Sequence, residues 1–382
     1  MKITIAVDSF KGSMSSIEAG NAIKNGILNA TSSEVITNVI PVADGGEGTI
    51  DALTFGKRCE THTVSVTGPL GNQISASYII TDENTAIIEM AEAAGITLVP
   101  KHLRNPLITT TYGVGELIKD ALNKNCRKFI IGIGGSATND CGIGMLQALG
   151  FKINDTQSQP VPFGANGVKL ATIIEDSHIS NILKECDFTI ACDVDNPLIG
   201  EKGCSKIFAP QKGATPEMVE QMDEWMNCFA SIVEAFSKER NKEFPFNRYT
   251  PGAGAAGGIG FAFLMMLNGK LLSGAQIVIK ETKLEEYIKQ SDIVIVGEGK
   301  LDAQSTMGKI PVTIAKLAKK YEKKVFAFAG IIEDKQLVNE SSIFDRAFEI
   351  DRGDMPLDVA MVKANSISNL SKTVTNAFLH KL

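Results

Sequence analysis

The chain has 382 residues, 44% hydrophobic and 21% charged, which is the balance of a soluble globular protein longer than one ordinary core. Its net charge of −6 excludes the basic face of a nucleic-acid binder, but not an anionic small molecule held by local Lys and Arg. No run approaches the ~18 apolar residues of a membrane span, and seven scattered cysteines without a C-x-x-C pair exclude a zinc or disulfide framework. Reduced thiols, and no apolar leader with a cleavage site after Met1, point to a cytoplasmic protein.

Ile3–Val7 reads as a strand that empties into Asp8-Ser9-Phe10-Lys11-Gly12-Ser13. Ser15-Ser16-Ile17-Glu18 has capping-box spacing and opens a helix whose apolar face is Ile17, Ile23, Ile27 and Leu28. A second strand, Val35–Val42, runs into Asp44-Gly45-Gly46-Glu47-Gly48. Thr61–Ile80 alternates about a Gly68-Pro69 turn and predicts two antiparallel strands. Thr111 is placed to cap a helix striped by Val114, Leu117, Ile118, Ala121 and Leu122. Phe129–Ile133 leads into Gly134-Gly135-Ser136-Ala137-Thr138-Asn139-Asp140, and Phe188–Cys192 into Asp193-Val194-Asp195-Asn196-Pro197. Thr215-Pro216 opens a helix by the preference for Pro at its first position, and Lys238–Thr250 reads as a charged surface loop. Ile293–Val296 runs into Gly297-Glu298-Gly299-Lys300-Leu301-Asp302, and Gly308-Lys309-Ile310-Pro311 opens another helix.

Alternating strands and helices predict an α/β protein with largely parallel sheets. The expected layout is two domains. Residues 1–61 and 288–382 form a discontinuous Rossmann-like α/β domain, residues 62–287 an inserted second α/β domain, and the active site lies in the cleft. Ligands of open α/β sheets bind at the carboxyl ends of strands. Five loops rich in acid and glycine at that position point to a metal–phosphate site and an enzyme, although each acid taken singly also fits a turn or a helix cap.

No G-x-x-x-x-G-K-[ST] is present, which excludes a P-loop kinase. Gly252–Gly257 imitates a dinucleotide fingerprint without a strand before it; Gly132–Ala137 follows a strand but continues into polar Thr138-Asn139-Asp140. A backbone cradle for phosphate or carboxylate suits the second stretch better. The clustered acids would repel an anion unless a hard cation such as Mg²⁺ intervened, and Lys11, Lys300 and Lys309 add positive charge. The four histidines are isolated from these loops, so a His-based triad or the His–acid pair of a hydroxyacid dehydrogenase finds no support. A non-catalytic sensor of hydroxy acids would not need the acid cluster.

Taken together the loops closely resemble the glycerate kinase family, of the bacterial glycerate 2-kinase type rather than the P-loop plant type. The stretches that carry the resemblance are Ala6–Ser13, Pro41–Thr49, Arg104–Leu107 with Thr109–Gly113, Ile133–Asp140, Ala191–Leu198, Pro210–Ala214, Pro251–Gly260 and Gly297–Asp302. The resemblance implies a two-domain α/β kinase that phosphorylates D-glycerate at the 2-hydroxyl, with ATP as co-substrate and Mg²⁺ as cofactor. Its partners would be glycerate and ATP, with no nucleic acid or membrane, in a monomer or homodimer.

Phosphoryl transfer rests on positioning and charge neutralisation, and this assigns roles to the loop residues. Lys11, Asp193 and Asp195 are expected to be catalytic, Lys11 at the transferring phosphoryl and the two acids as metal ligand or general base. Asp193, Glu298 and Asp302 are expected to hold the metal. Gly134, Gly135 and Ser136 form the cradle, and Arg104 grips a carboxylate. Asp8, Ser9, Asp44, Gly45, Gly46, Asn139, Asn196, Gly254 and Lys300 complete the substrate- and phosphate-binding set.

Overall fold

The computed structural model describes residues 1–31, 34–45, 48–176, 181–240, 245–301, 309–333 and 342–381. The chain forms two compact units, Met1–Gly56 with Ser273–Leu382, and Lys57–Leu272. The expected division at 61/62 and 287/288 is shifted by particular packing. Strand Cys59–Thr67 pairs along its whole length with Gln73–Thr81, which draws residues 57–61 into the second unit. Helices Gly274–Glu281 and Leu284–Gln290 pack on helix Ile310–Lys320 and belong to the first unit.

The first unit is built on a parallel sheet with strand order Arg346–Glu349, Lys324–Ile332, Ile293–Leu301, Lys2–Val7 and Ile36–Val39. Ile3, Ile5 and Val7, with Ile293 and Ile295 on the neighbouring strand, are alternate residues that share one face of the sheet and pack in its core. Helix Ser16–Ala30 starts with the expected capping box, in which the Ser15 hydroxyl accepts the Glu18 N–H and the Glu18 carboxylate accepts the Ser15 N–H. Leu28, expected on its buried face, is exposed. Strand Ile293–Leu301 runs further than the apolar stretch Ile293–Val296 suggests. Its neighbour Lys324–Ile332 continues in register as far as Ile332, so Glu298 and Lys300 stand on the strand and not in a loop.

The second unit holds a six-stranded mixed sheet. Lys270–Leu272, Asp187–Ala191, Lys128–Gly132 and Thr85–Glu89 run parallel; Gln73–Thr81 and Cys59–Thr67 complete it antiparallel, as the Gly-Pro turn predicts. Phe129 and Phe188 stack in its core with ring centroids 4.9 Å apart. Helix Pro216–Arg240 begins at the expected proline and buries Met222, Met226 and Phe229. It extends through Lys238–Arg240, which the charge run alone had suggested to be loop. Among the described residues no helix is long and apolar enough to cross a membrane, and all seven cysteines are free.

Candidate active site

In the first unit the Ser16 hydroxyl donates to Val7 O at 2.7 Å and accepts the Val42 N–H at 3.0 Å. This single side chain ties the ends of two neighbouring strand segments together, just before Asp8 and Asp44. Asp8, Ser9, Lys11, Asp44, Glu298 and Lys300 line one cavity of about 330 Å³. The lining also includes apolar Phe10, Met14, Ile331, Ile350, Leu357 and Met361. Gly45, next in the chain, has φ of 104°, a left-handed conformation that glycine adopts without strain. Gly46, Glu47 and Asp302 lie outside the described residues.

The electrostatics of this cavity centre on Asp8. Burial pushes its carboxyl up to about 7; the Ser9 N–H, 2.6 Å away, opposes the rise, and the charges of Asp44 and Glu298 add to it. Lys11 pulls in the other direction. Glu298 is buried and faces Lys309 Nζ at 3.5 Å, while Lys300 pairs with Glu333 at 2.8 Å. Lys309 and Arg352 also line the cavity. Arg352 escaped the sequence reading, because nothing near it in the chain marks it out.

The remaining expected residues lie in the second unit. Gly134 and Gly135 are exposed at the end of strand Lys128–Gly132, followed by buried Ser136 and Asn139. Asn139 Nδ2 donates to Ser205 Oγ at 3.0 Å. Arg104 is half-buried; its Nε and Nη1 each point at a backbone carbonyl, of Val99 and Gln211, at 3.4 Å. Asp193 and Asp195 follow strand Asp187–Ala191 and are exposed. Asn196 O accepts the Gly254 N–H at 2.9 Å. Gly254 is a packing glycine, since a Cβ there would sit 2.1 Å from Pro197 O.

Sequence reasoning assigned no role to Lys212. It is 2% exposed, and its ammonium donates to Ser136 Oγ at 2.7 Å and Thr138 O at 2.6 Å. Burial pulls it down to about 8, against the opposing pull of Cys204 and Asp140. The available signal was its place in Pro210-Gln211-Lys212-Gly213, where Gly213 takes φ of 95° and ends a short turn.

Among the described residues no group of three or more His, Cys, Asp or Glu side chains converges as metal ligands do. The described residues by themselves therefore form no all-protein cage for a divalent ion. The Asp8, Asp44 and Glu298 set fits Mg²⁺ in another manner. Mg²⁺ commonly takes one or two carboxylates, waters and substrate phosphates, and a cation would relieve the crowding that helps keep Asp8 protonated.

The sequence model of the glycerate kinase family matches residues 3–380. The chain is 46% identical to a glycerate kinase of Haemophilus influenzae over 354 residues, covering 92% of this chain and 91% of that one. It is 43% identical to the glycerate 2-kinase of Escherichia coli K12 over 351 residues, covering 92% and 90%. The fold superimposes on the crystal structure of a protein provisionally named glycerate kinase 2 from Salmonella typhimurium LT2, with TM-score 0.84 and 38% identity, covering 99% and 97%.

Proposed function

The chain belongs to the glycerate kinase family and is a phosphotransferase, and on that premise we propose that it phosphorylates D-glycerate at the 2-hydroxyl, with ATP as donor and Mg²⁺ as cofactor. The observation that carries the reading is the first-unit cavity, whose lining includes three carboxylates, Asp8, Asp44 and Glu298, and three lysines, Lys11, Lys300 and Lys309. Opposite charges gathered in one cavity, with Glu298 and Lys309 3.5 Å apart, suit a metal-bound polyphosphate: carboxylates for the cation, ammonium groups for the phosphate oxygens. The apolar residues of the same lining, among them Phe10, Ile350 and Met361, would offer contact to a base.

Asp8, Asp44 and Glu298 are the carboxylates that would hold Mg²⁺, joined by Asp302 of the same unit. Bound there, the ion would neutralise charge on the phosphates. Lys11, exposed at the rim, would place its ammonium against the phosphoryl in transit. In the second unit Gly134, Gly135 and Ser136 would cradle an anionic oxygen, and Arg104 would grip a carboxylate. Asp193 and Asp195, exposed after strand Asp187–Ala191, are the proposed acids at the acceptor hydroxyl. Free thiols throughout support action in the cytoplasm.

The test is ADP release coupled to D-glycerate. Turnover should require both substrates, vanish with EDTA and return with added Mg²⁺. Proton and phosphorus NMR of the product should show the phosphate on the 2-hydroxyl. Undiminished turnover after complete chelation would remove the metal, and a 3-phosphate product would correct the position.

A further inference from the structure

The loop after strand Lys128–Gly132 is tied back through its carbonyls. Ile96 N–H donates to Gly135 O at 2.8 Å, Thr109 Oγ1 to Ala137 O at 3.0 Å, and Lys212 Nζ to Thr138 O. With these negative dipole ends anchored inward, they do not oppose an anion at the loop's open side, where a Cβ on Gly134 would meet nothing within 4 Å. Lys212 also spends a proton on Ser136 Oγ, 2.7 Å away. An ammonium has donors only, so Ser136 Oγ must accept here. The single hydroxyl proton of Ser136 must then be given elsewhere. Among the described residues Ser136 Oγ makes no second hydrogen bond, and Ser136 is only 7% exposed. Thr138 Oγ1 and Asn139 Oδ1, on the same loop, are buried without a partner among the described residues.

We infer that Lys212 is a positioning residue, which by occupying a lone pair of Ser136 fixes the Ser136 proton as a donor to an anionic oxygen of the substrates. That oxygen belongs to the glycerate carboxylate or to a nucleotide phosphate. The inference rests on the kinase reading above. With its pKa near 8, Lys212 remains largely charged at neutral pH, which keeps the direction of the bond.

Calorimetric titration of glycerate alone and of ATP alone tests it without turnover. The proteins are wild type, Ser136→Ala, Ser136→Thr, Lys212→Met and the Ser136→Ala/Lys212→Met double variant. Ser136→Ala and Lys212→Met should each weaken the same ligand roughly tenfold or more, the scale of a hydrogen bond to a charged group. The double variant should be no more than about twofold weaker than Ser136→Ala, the non-additivity of residues acting through one bond. Ser136→Thr should restore affinity to within about threefold. Loss of glycerate binding identifies the carboxylate, and loss of ATP binding the phosphate. Unchanged affinity for both ligands in Ser136→Ala, with only a lowered melting temperature, overturns the inference and leaves the kinase reading intact. So does a double variant whose loss is the product of the two single losses. Should Lys212→Met fail to fold, the Ser136→Ala and Ser136→Thr pair still decides. Wild type that binds neither ligand overturns the kinase reading and the inference together.

Discussion

Asp140 Oδ2 accepts the Thr111 hydroxyl at 2.8 Å, and neither residue reaches solvent. The same carboxylate accepts the N–H groups of Thr111 at 2.9 Å, Gly142 at 3.2 Å and Gly144 at 3.4 Å. Burial raises its pKa and these four bonds work against that rise. Asp140 thus closes the glycine loop onto the helix Tyr112–Asn123, an acid in a ligand-type motif with an architectural task. Asp140→Ala would leave four buried donors unmet, at about 1–3 kcal/mol for each that finds no water. The expected result is a fall of roughly 6–12 °C in the melting of the second unit. A melting curve that stays in place while kcat drops would instead make Asp140 part of the chemistry.

Gly254 shows the same division between motif and role. A side chain there would collide with the Pro197 and Asn196 carbonyls, at 2.1 and 3.1 Å. Gly254→Ala should destabilise the second unit by roughly 1–3 kcal/mol, as overpacking does, and its glycerate affinity should recover at low temperature. Chemical denaturation read alongside glycerate titration at 10 and 37 °C checks this. Affinity that stays low when the variant is fully folded would place Gly254 in direct contact with the ligand.

The folding elements were largely legible because each is written locally. Ile3–Val7, Phe129–Ile133 and Phe188–Cys192 match strands to within a residue at each end, and Ser15 caps as its spacing predicts. What escaped depends on distant partners. Thr111 sits at the helix N-cap position, yet its hydroxyl makes no cap, because Asp140, 29 residues away, claims it. Glu298 and Lys300 are strand residues because the neighbouring strand continues beside them. Lys212 gains a role only once Ser136, 76 residues earlier in the chain, is seen to accept its hydrogen bond. The candidate residues themselves were legible as loop chemistry, but the distant side chains that hold them, such as Lys212 against Ser136, were not.

Asp8 gives the first unit an unusual pH dependence. Folded Asp8 holds its proton to about pH 7, whereas an exposed Asp releases it near 4. Between these values the folded state binds more protons than the unfolded chain, so stability falls as pH rises and levels off above about 7. Asp8→Asn removes the titration. The variant should exceed wild type by on the order of 2–4 kcal/mol above pH 7, and the gap should close towards pH 4. Urea unfolding at pH 4.5, 6 and 8 measures it. A gap that is constant with pH would show that Asp8 is ionised at no cost. Mg²⁺ with ATP should narrow the gap at pH 8 by stabilising the wild-type carboxylate.

Lys11 tests the chemistry itself. It lies in the turn after Asp8, where Phe10 N–H donates to Met14 O at 2.9 Å and Ser13 N–H to Phe10 O at 2.8 Å, so the backbone that presents it is fixed. Its side chain is exposed and lines the cavity beside Asp8. An ammonium so placed matters most when charge shifts during phosphoryl transfer, and less when substrates merely bind. Lys11→Met should therefore lower kcat by roughly 10²-fold, the scale of one lost electrostatic stabiliser, with the KM for glycerate changed far less. Lys11→Arg, which keeps the charge at a different reach, should recover part of the loss. Steady-state kinetics of the three proteins with glycerate varied at saturating Mg·ATP provide the comparison. If kcat of Lys11→Met stays within about threefold of wild type, under ~1 kcal/mol of barrier, then Lys11 is a surface residue and the phosphoryl group is neutralised elsewhere, with Lys309 the next candidate on the same wall.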